Sequence, residues 1–198
     1  GVVPFAHSRL QPGETWGRGA RFGQVPMQGG RVYWFAAYNT PAGQHSPDGE
    51  QAELLRIFGH WHDPIRALIE ATPEDTILRN DIHDRPPLNQ WGRGRVTLLG
   101  DAAHPMTPNL GQGACQALED AVVLAKQLQA TADIPTALRA YEAARIPRTT
   151  MIVEQSRRVG MVGQWANPLA VAGRNVLVKH LLARFQYQQF APLIGYEL

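Results

Sequence analysis

Residues 95–125, RVTLLGDAAHPMTPNLGQGACQALEDAVVLA, constrain the fold of this 198-residue chain more than any other stretch. Residues 96–99 form a short apolar run of the kind found in strands buried on both faces. Gly100-Asp101 ends that run. Pro105 and Pro108 stiffen the loop that follows, and Gly111-Gln112-Gly113 leads into a second apolar segment. There, Ala114, Ala117, Leu118, Ala121, Val122, Leu124, Ala125 and Leu128 cover most of the circumference of a helix over about 110–129, which predicts a largely buried helix. A strand, a loop and a helix in that order form one unit of an α/β layer. In open α/β sheets, ligands sit outside the carboxyl ends of the strands.

The flanks differ in kind. Residues 1–45 read as antiparallel β. The aromatic and β-branched run 31–37 pairs with 20–26 across the turn signal Gly29-Gly30. A helix is expected over 50–58, with Leu54, Leu55 and Phe58 on one side. Asp63 caps a second helix with Pro64 at its first position, and Ile65, Leu68 and Ile69 supply the apolar stripe. Alternation over 76–85 predicts one more strand, ended by Pro86-Pro87. Beyond the central stretch, Asp133-Ile134-Pro135 opens a helix running towards residue 162, which Pro147 should kink or divide. Asn167-Pro168 starts a last helix to about residue 182. Phe185, Tyr187, Phe190 and Tyr196 are expected to pack down. The organisation is therefore 1–90 (sheet with two short helices), 91–130 (strand, motif and helix) and 131–198 (C-terminal helices).

Composition excludes several function classes. The net charge is +2, and the 17 Arg and 2 Lys are scattered, so there is no nucleic-acid footprint. A single cysteine, Cys115, forbids an intrachain disulfide and suits a reducing cytoplasm. No apolar run reaches membrane-spanning length, and no signal peptide opens the sequence. The first residues, GVVPF, read like the middle of a strand, so a fragment of something longer is expected.

The chemistry sits in the central stretch. Asp101 at a strand end can accept hydrogen bonds from sugar or polyol hydroxyls, and Ala102 and Ala103 let a ligand approach the backbone. Asn109 is expected at an N-cap, with Gln112 three residues on as a variant capping box. Gly111 and Gly113 leave first-turn N–H groups uncovered, which favours partial negative charge on a ligand. A polyol acceptor followed by an anion-stabilising helix start suits a flavin: Asp101 for the ribityl chain, the Gly111–Gly113 amides for the pyrimidine edge. His104 reads as a loop-ordering hydrogen-bonder rather than an acid or base. His60-x-His62-Asp63 matches no standard metal spacing, so no metal is expected. Cys115 reads as a small apolar filler in a buried helix. Glu119 and Asp120 point about 100° apart on a helix and read as a helix face plus a structural hydrogen bond. Phe22, Gln24 and Trp34 are candidates for a substrate pocket, with core packing as the alternative for the aromatics.

Gly100-Asp101-Ala102-Ala103-His104, Pro108, Gly111-Gln112-Gly113 and Glu119-Asp120-Ala121 together resemble the second FAD-binding motif of FAD-dependent monooxygenases with the para-hydroxybenzoate hydroxylase fold. Salicylate-hydroxylase-like enzymes and zeaxanthin epoxidases carry similar stretches. The hairpin from Arg21 to Ala37 resembles that family's substrate sheet. Asp84-Arg85-Pro86-Pro87 resembles its lead-in to the motif. Ala137 to Glu142 with Arg145, Pro147 and Arg148 resembles its C-terminal helices. The resemblance implies an α/β (α+β) fold: an antiparallel substrate sheet beside the C-terminal part of an FAD-binding domain, with long C-terminal helices. It implies FAD as cofactor and NAD(P)H as co-substrate, with a flavin C4a-hydroperoxide hydroxylating or epoxidising an aromatic or apolar small molecule. Gly100, Asp101, Pro108, Gly111, Gln112, Gly113 and Ala114 would contact the cofactor, with Pro108 near the oxygen site. No side chain is assigned a catalytic role, because the flavin is the reagent. The family's G-x-G-x-x-G turn is not in this sequence. The chain therefore looks like a C-terminal portion whose partner is an N-terminal nucleotide-binding half. Two other readings are a non-catalytic remnant and a flavin-dependent reductase or dehydrogenase.

Overall fold

The computed structural model describes residues 1–6 and 10–180. It divides into two compact units, one of residues 1–81 and 163–172, the other of 82–162 and 173 onward. Buried ion pairs link the two long helices of the second unit.

The first unit is built on an antiparallel sheet of order β1-β4-β3-β2, from Val2–Pro4 (β1), Gly13–Trp16 (β2), Ala20–Met27 (β3) and Arg31–Tyr38 (β4). Gly29 and Gly30 take positive φ (74° and 65°) in the β3–β4 turn, so the glycine pair does make the hairpin. The register pairs Phe22 with Ala36 and Gln24 with Trp34. Directly paired residues share a face, so Phe22, Gln24 and Trp34 stand on the same side. Helices α1 (Glu50–Phe58) and α2 (Ile65–Glu70) bury that side through Leu54, Phe58, Ile65, Leu68 and Ile69. Phe22 stacks on Trp34 with ring centroids 5.4 Å apart and meets Phe58 edge-on at 5.7 Å. The Trp34 indole donates to Thr72 Oγ1 (2.9 Å), which donates to the Leu68 carbonyl (2.7 Å). The first α1 amides are satisfied from a distance: Glu74 accepts from Glu50 N and Gln51 N at 2.6 and 2.9 Å.

Two local expectations fail here. Asp63 makes no cap bond to α2; Pro64 occupies the cap position after a cis peptide bond. Residues 76–85 form no strand. After a single turn at Glu74–Thr76 the chain is extended at Ile77, but among the described residues no ladder accepts it. Side chains hold it instead. Arg79 pairs with Glu50 (3.1 Å) and lies over the Tyr38 ring, and Asp81 accepts from Gly43 N (2.8 Å).

The second unit contains α3 (Gly113–Ala130) and α4 (Ile134–Gly163). Pro147 lies inside α4 without dividing it. Asp133 accepts from Thr136 N at 3.1 Å at the start of α4. Trp91, Ala103, Val123 and Tyr141 form its apolar core. Helix α5 (Pro168–His180) begins with Asn167 accepting from Leu169 N and Ala170 N, as an Asn-Pro start should. It runs from the first unit into the second. The end of the last expected helix and the aromatic tail from Phe185 to Tyr196 lie outside the described residues.

The buried strand expected over 96–99 is not formed. Leu99 has strand dihedrals (φ −143°, ψ 148°), but among the described residues the only pairing in this stretch is an isolated Arg93–Val96 bridge, and Val96 is 68% exposed. Extended backbone becomes a strand only beside a partner, and the described residues offer none. Helix α3 is likewise not largely buried. Only Gln116, Asp120 and Val123 are buried, while Leu118 is 70% exposed and Val122 and Leu128 are also open. The covered side is its polar one.

Candidate flavin site

The site starts where the extended segment turns. Gly100 has φ +61°, a left-handed conformation that favours glycine. A Cβ there would also stand 3.2 Å from the Ala117 methyl. A single turn over Gly100–Ala102 follows, with the Ala103 and His104 amides donating to Gly100 O at 2.8 and 2.9 Å. Asp101 is exposed on this turn. Arg85 anchors the far side, its Nη2 donating to the carbonyls of Ala102 (2.5 Å) and Ala103 (2.8 Å). Asp84 pairs with Arg157 of α4 at 2.8 Å. The Asp84-Arg85 lead-in thus acts as a clamp on the motif.

Behind the turn lies a buried ionic network. Asp120, fully buried, accepts from three donors: Gly100 N at 3.0 Å, His104 Nε2 at 2.7 Å and Arg145 Nε at 2.7 Å. Arg145, also fully buried, donates further to Glu119 (2.7 Å) and to the Gln116 side chain (2.8 Å). Arg148 adds bonds to both Glu119 oxygens at 2.6 and 2.8 Å. Burial alone would raise the Asp120 carboxyl, but hydrogen bonds from His104, Arg145 and Gly100 N–H outweigh it and hold the group below the usual carboxylate range. Burial raises Glu119 too, and Arg148 and Arg145 bring it down further than burial lifts it. The Arg145 guanidinium loses by desolvation and gains more from Asp120 and Glu119, so it is held charged. The 2.7 Å contact between His104 Nε2 and the Asp120 carboxylate fixes the imidazole against the turn. His104 orders the loop, as its sequence context implied.

The loop after His104 is fastened to α4. Ser156 Oγ donates to Thr107 O (2.6 Å), and Asn109 Nδ2 donates to Thr107 Oγ1 (2.7 Å) and to Ser156 O (2.9 Å). This corrects the expected capping role of Asn109, whose amide is taken by α4 rather than by α3. Gln112 is the residue before α3, and no side chain caps the helix. The first bond in the helix runs from Gln116 N to Gln112 O (2.9 Å), so the Gly113, Ala114 and Cys115 amides precede it. Gly111, at φ +62°, has open space where a side chain would stand. A Cβ on Gly113 would lie 3.8 Å from Asp101 Oδ1. The fold therefore brings the predicted carboxylate and the predicted helix start together on one surface, with exposed Ala114 and Pro108 beside them.

Other candidates fall elsewhere. Phe22 and Trp34 are core side chains under α1 and α2, the packing role that was the alternative for them; Gln24, on the same face, is half-buried. His62 is engaged with Thr15 Oγ1 and the Asp63 carbonyl, each at 2.7 Å. Cys115 is exposed, not a buried filler, because the apolar side of α3 faces outward.

A carboxylate beside an uncapped helix start offers an acceptor for hydroxyls and donors for a ligand's oxygen or nitrogen lone pairs. Comparison with known proteins gives the family. The family described as the FAD binding domain matches residues 9–156. The chain belongs to this FAD binding domain family. It is 52% identical over 166 residues to the aurachin C monooxygenase/isomerase of Stigmatella aurantiaca, covering 84% of this chain and 43% of that protein. Against the chloroplastic zeaxanthin epoxidase of Solanum lycopersicum it is 50% identical over 135 residues, 63% of this chain and 20% of the relative. The structure of Klebsiella pneumoniae HpxO complexed with FAD and uric acid superposes with a TM-score of 0.85 at 36% identity, covering 93% of this chain and 49% of that one. The chain thus spans about half the length of these relatives, or less.

The sequence named Arg85 and Arg145 only as parts of the resemblance, without a role, and gave no hint of the Asn109–Ser156 contact. A signal for Arg145 existed: an acidic pair, Glu119-Asp120, on an otherwise apolar helix, and Arg145 and Arg148 three residues apart on the next.

Proposed function

We propose that residues 100–114 form the flavin-gripping part of a monooxygenase that uses NAD(P)H and FAD to hydroxylate or epoxidise an aromatic or apolar small molecule. The observation that carries this is the approach of the Asp101 carboxylate to the uncapped start of α3. Asp101 would accept from ribityl hydroxyls. The Gln112, Gly113 and Ala114 backbone would donate to the pyrimidine side of the ring. Gly111, whose N–H is already given to Pro108 O at 3.0 Å, would with Gly100 shape the turns, and Pro108 would lie beside the ring. When bound, FAD supplies the oxygen-activating redox chemistry. The chain's residues orient it: Asp120 and Arg85 hold the turn from two sides, and no side chain need move a proton.

The substrate face follows from the sheet. With Phe22 and Trp34 committed to the core, the opposite face carries Val25, Tyr33 and Phe35, the first two exposed. Phe35 lies across Gly23, where any Cβ would stand 2.2 Å from its ring. That face suits an apolar or aromatic substrate. The outward apolar side of α3, with Leu118 and Val122, and the unladdered residues 96–99 support a nucleotide-binding half as the partner that completes the site. The lone cysteine suits a cytoplasmic setting. Among the described residues no helix is long and apolar enough to cross a membrane.

The test is FAD titration, with the chain alone and with a nucleotide-binding half from a relative, followed by flavin absorbance. A yellow complex whose FAD affinity falls about tenfold or more in Asp101→Ala, as loss of hydrogen bonds to a charged group requires, supports the reading. Unchanged affinity in Asp101→Ala refutes it. A complex that oxidises NAD(P)H without inserting oxygen would favour a reductase.

A further inference from the structure

We infer that α4 positions the flavin-facing loop through Ser156 and Gly160, a role that rests on the reading of residues 100–114 as a flavin site. Ser156 is fully buried and bonded to Thr107 by both its hydroxyl contacts, Oγ to Thr107 O (2.6 Å) and Oγ to Thr107 Oγ1 (3.0 Å). One turn later on the same helix face, Gly160 leaves the space that the Asn109 side chain occupies. A Cβ on Gly160 would stand 2.3 Å from Asn109 Nδ2 and 3.0 Å from its Cγ, well inside van der Waals contact. Asn109 cannot retreat while keeping its bonds to Thr107 Oγ1 and Ser156 O.

Gly160 is costly where it is. A glycine inside a helix destabilises it relative to alanine. The helix gains nothing from it; the loop does. Asn109 sits between Pro108 and Gly111 in the single turn Pro108–Leu110, so its seat on α4 fixes both residues and the approach to the α3 amides. Ser156 and Gly160 are thus positioning residues that touch no ligand themselves.

The test is a double-mutant cycle of Gly160→Ala and Asn109→Ala in the full chain, with two readouts: amide hydrogen exchange at residues 107–113, and FAD affinity under the condition in which the unsubstituted chain binds it. Gly160→Ala is expected to speed loop exchange and to weaken FAD binding, each by about tenfold, the scale of one or two lost hydrogen bonds. The thermal midpoint should not fall, because alanine favours the helix. In the Asn109→Ala background the same substitution should change either readout by less than about twofold, since the clash partner is gone. Equal effects in both backgrounds, or loop exchange unmoved by Gly160→Ala, overturn the inference. If no condition gives FAD binding, the flavin reading fails and takes the link to the cofactor with it. The exchange cycle still decides whether α4 seats the loop.

Discussion

Replacing Asp120 should unfasten the motif turn without touching any ligand-facing atom. The carboxylate is fully buried and accepts from Gly100 N, His104 Nε2 and Arg145 Nε. In Asp120→Ala, Arg145 keeps Glu119 and Gln116, so the full cost of stranding a buried charge, about 3 to 5 kcal/mol, is not reached from that source alone. Gly100 N–H and His104 lose their acceptor, adding about 1 to 3 kcal/mol each. A net loss of about 4 kcal/mol follows, a shift of roughly 2 M in the urea midpoint of this unit at a slope of about 2 kcal/mol per molar. Asp120→Asn keeps the volume but turns an NH2 towards a donor, and should cost about 2 kcal/mol. Gly100 amide exchange should accelerate in both variants. The pH dependence has a definite sign. Asp120 and Glu119 are held below their ordinary values. Their contribution is therefore complete above the unfolded-state values near about 4 and is lost as pH falls through the lower folded ones. Asp120→Asn should flatten the acid limb of the stability curve. A loss under about 1 kcal/mol in Asp120→Ala, with Gly100 exchange unchanged, would refute this reasoning.

Phe22→Ala should cost about 3 to 5 kcal/mol, as for any large side chain removed from a packed core, and this should appear as lost unfolding free energy in the sheet unit; a substitution that leaves stability alone would return Phe22 to the candidate pocket. Cys115 in the folded chain alone should be readily modified by a thiol reagent without prior unfolding, because it is exposed. Protection on adding a nucleotide-binding half would report the covering of α3.

Features with local causes were readable from sequence. Gly29-Gly30 makes its hairpin because positive φ is needed there, and α1 spans the expected residues because its stripe and its flanking turns agree. Asp101 and Gly113 lie close together, since a turn and a helix start each impose a residue type. What was lost depends on distant partners. An alternating run such as 76–85 specifies extended backbone but not a neighbour to pair with. The apolar pattern of α3 predicts a buried helix, but it does not say which part of the fold would cover it, and the described residues leave Leu118 and Val122 open. Asn109 had two possible partners, the α3 amides or Ser156, and only the fold decides between them.

The seam between α3 and α4 also sets an angle. A row of leucines would let α3 turn about its axis and settle in several ways against its neighbour. A carboxylate that must meet three donors at once admits a single rotational phase. Gly113 begins the same helix, so the direction in which its amides point is dialled in two turns away, by Asp120 and Arg145. The aim of the site is thus decided at its back.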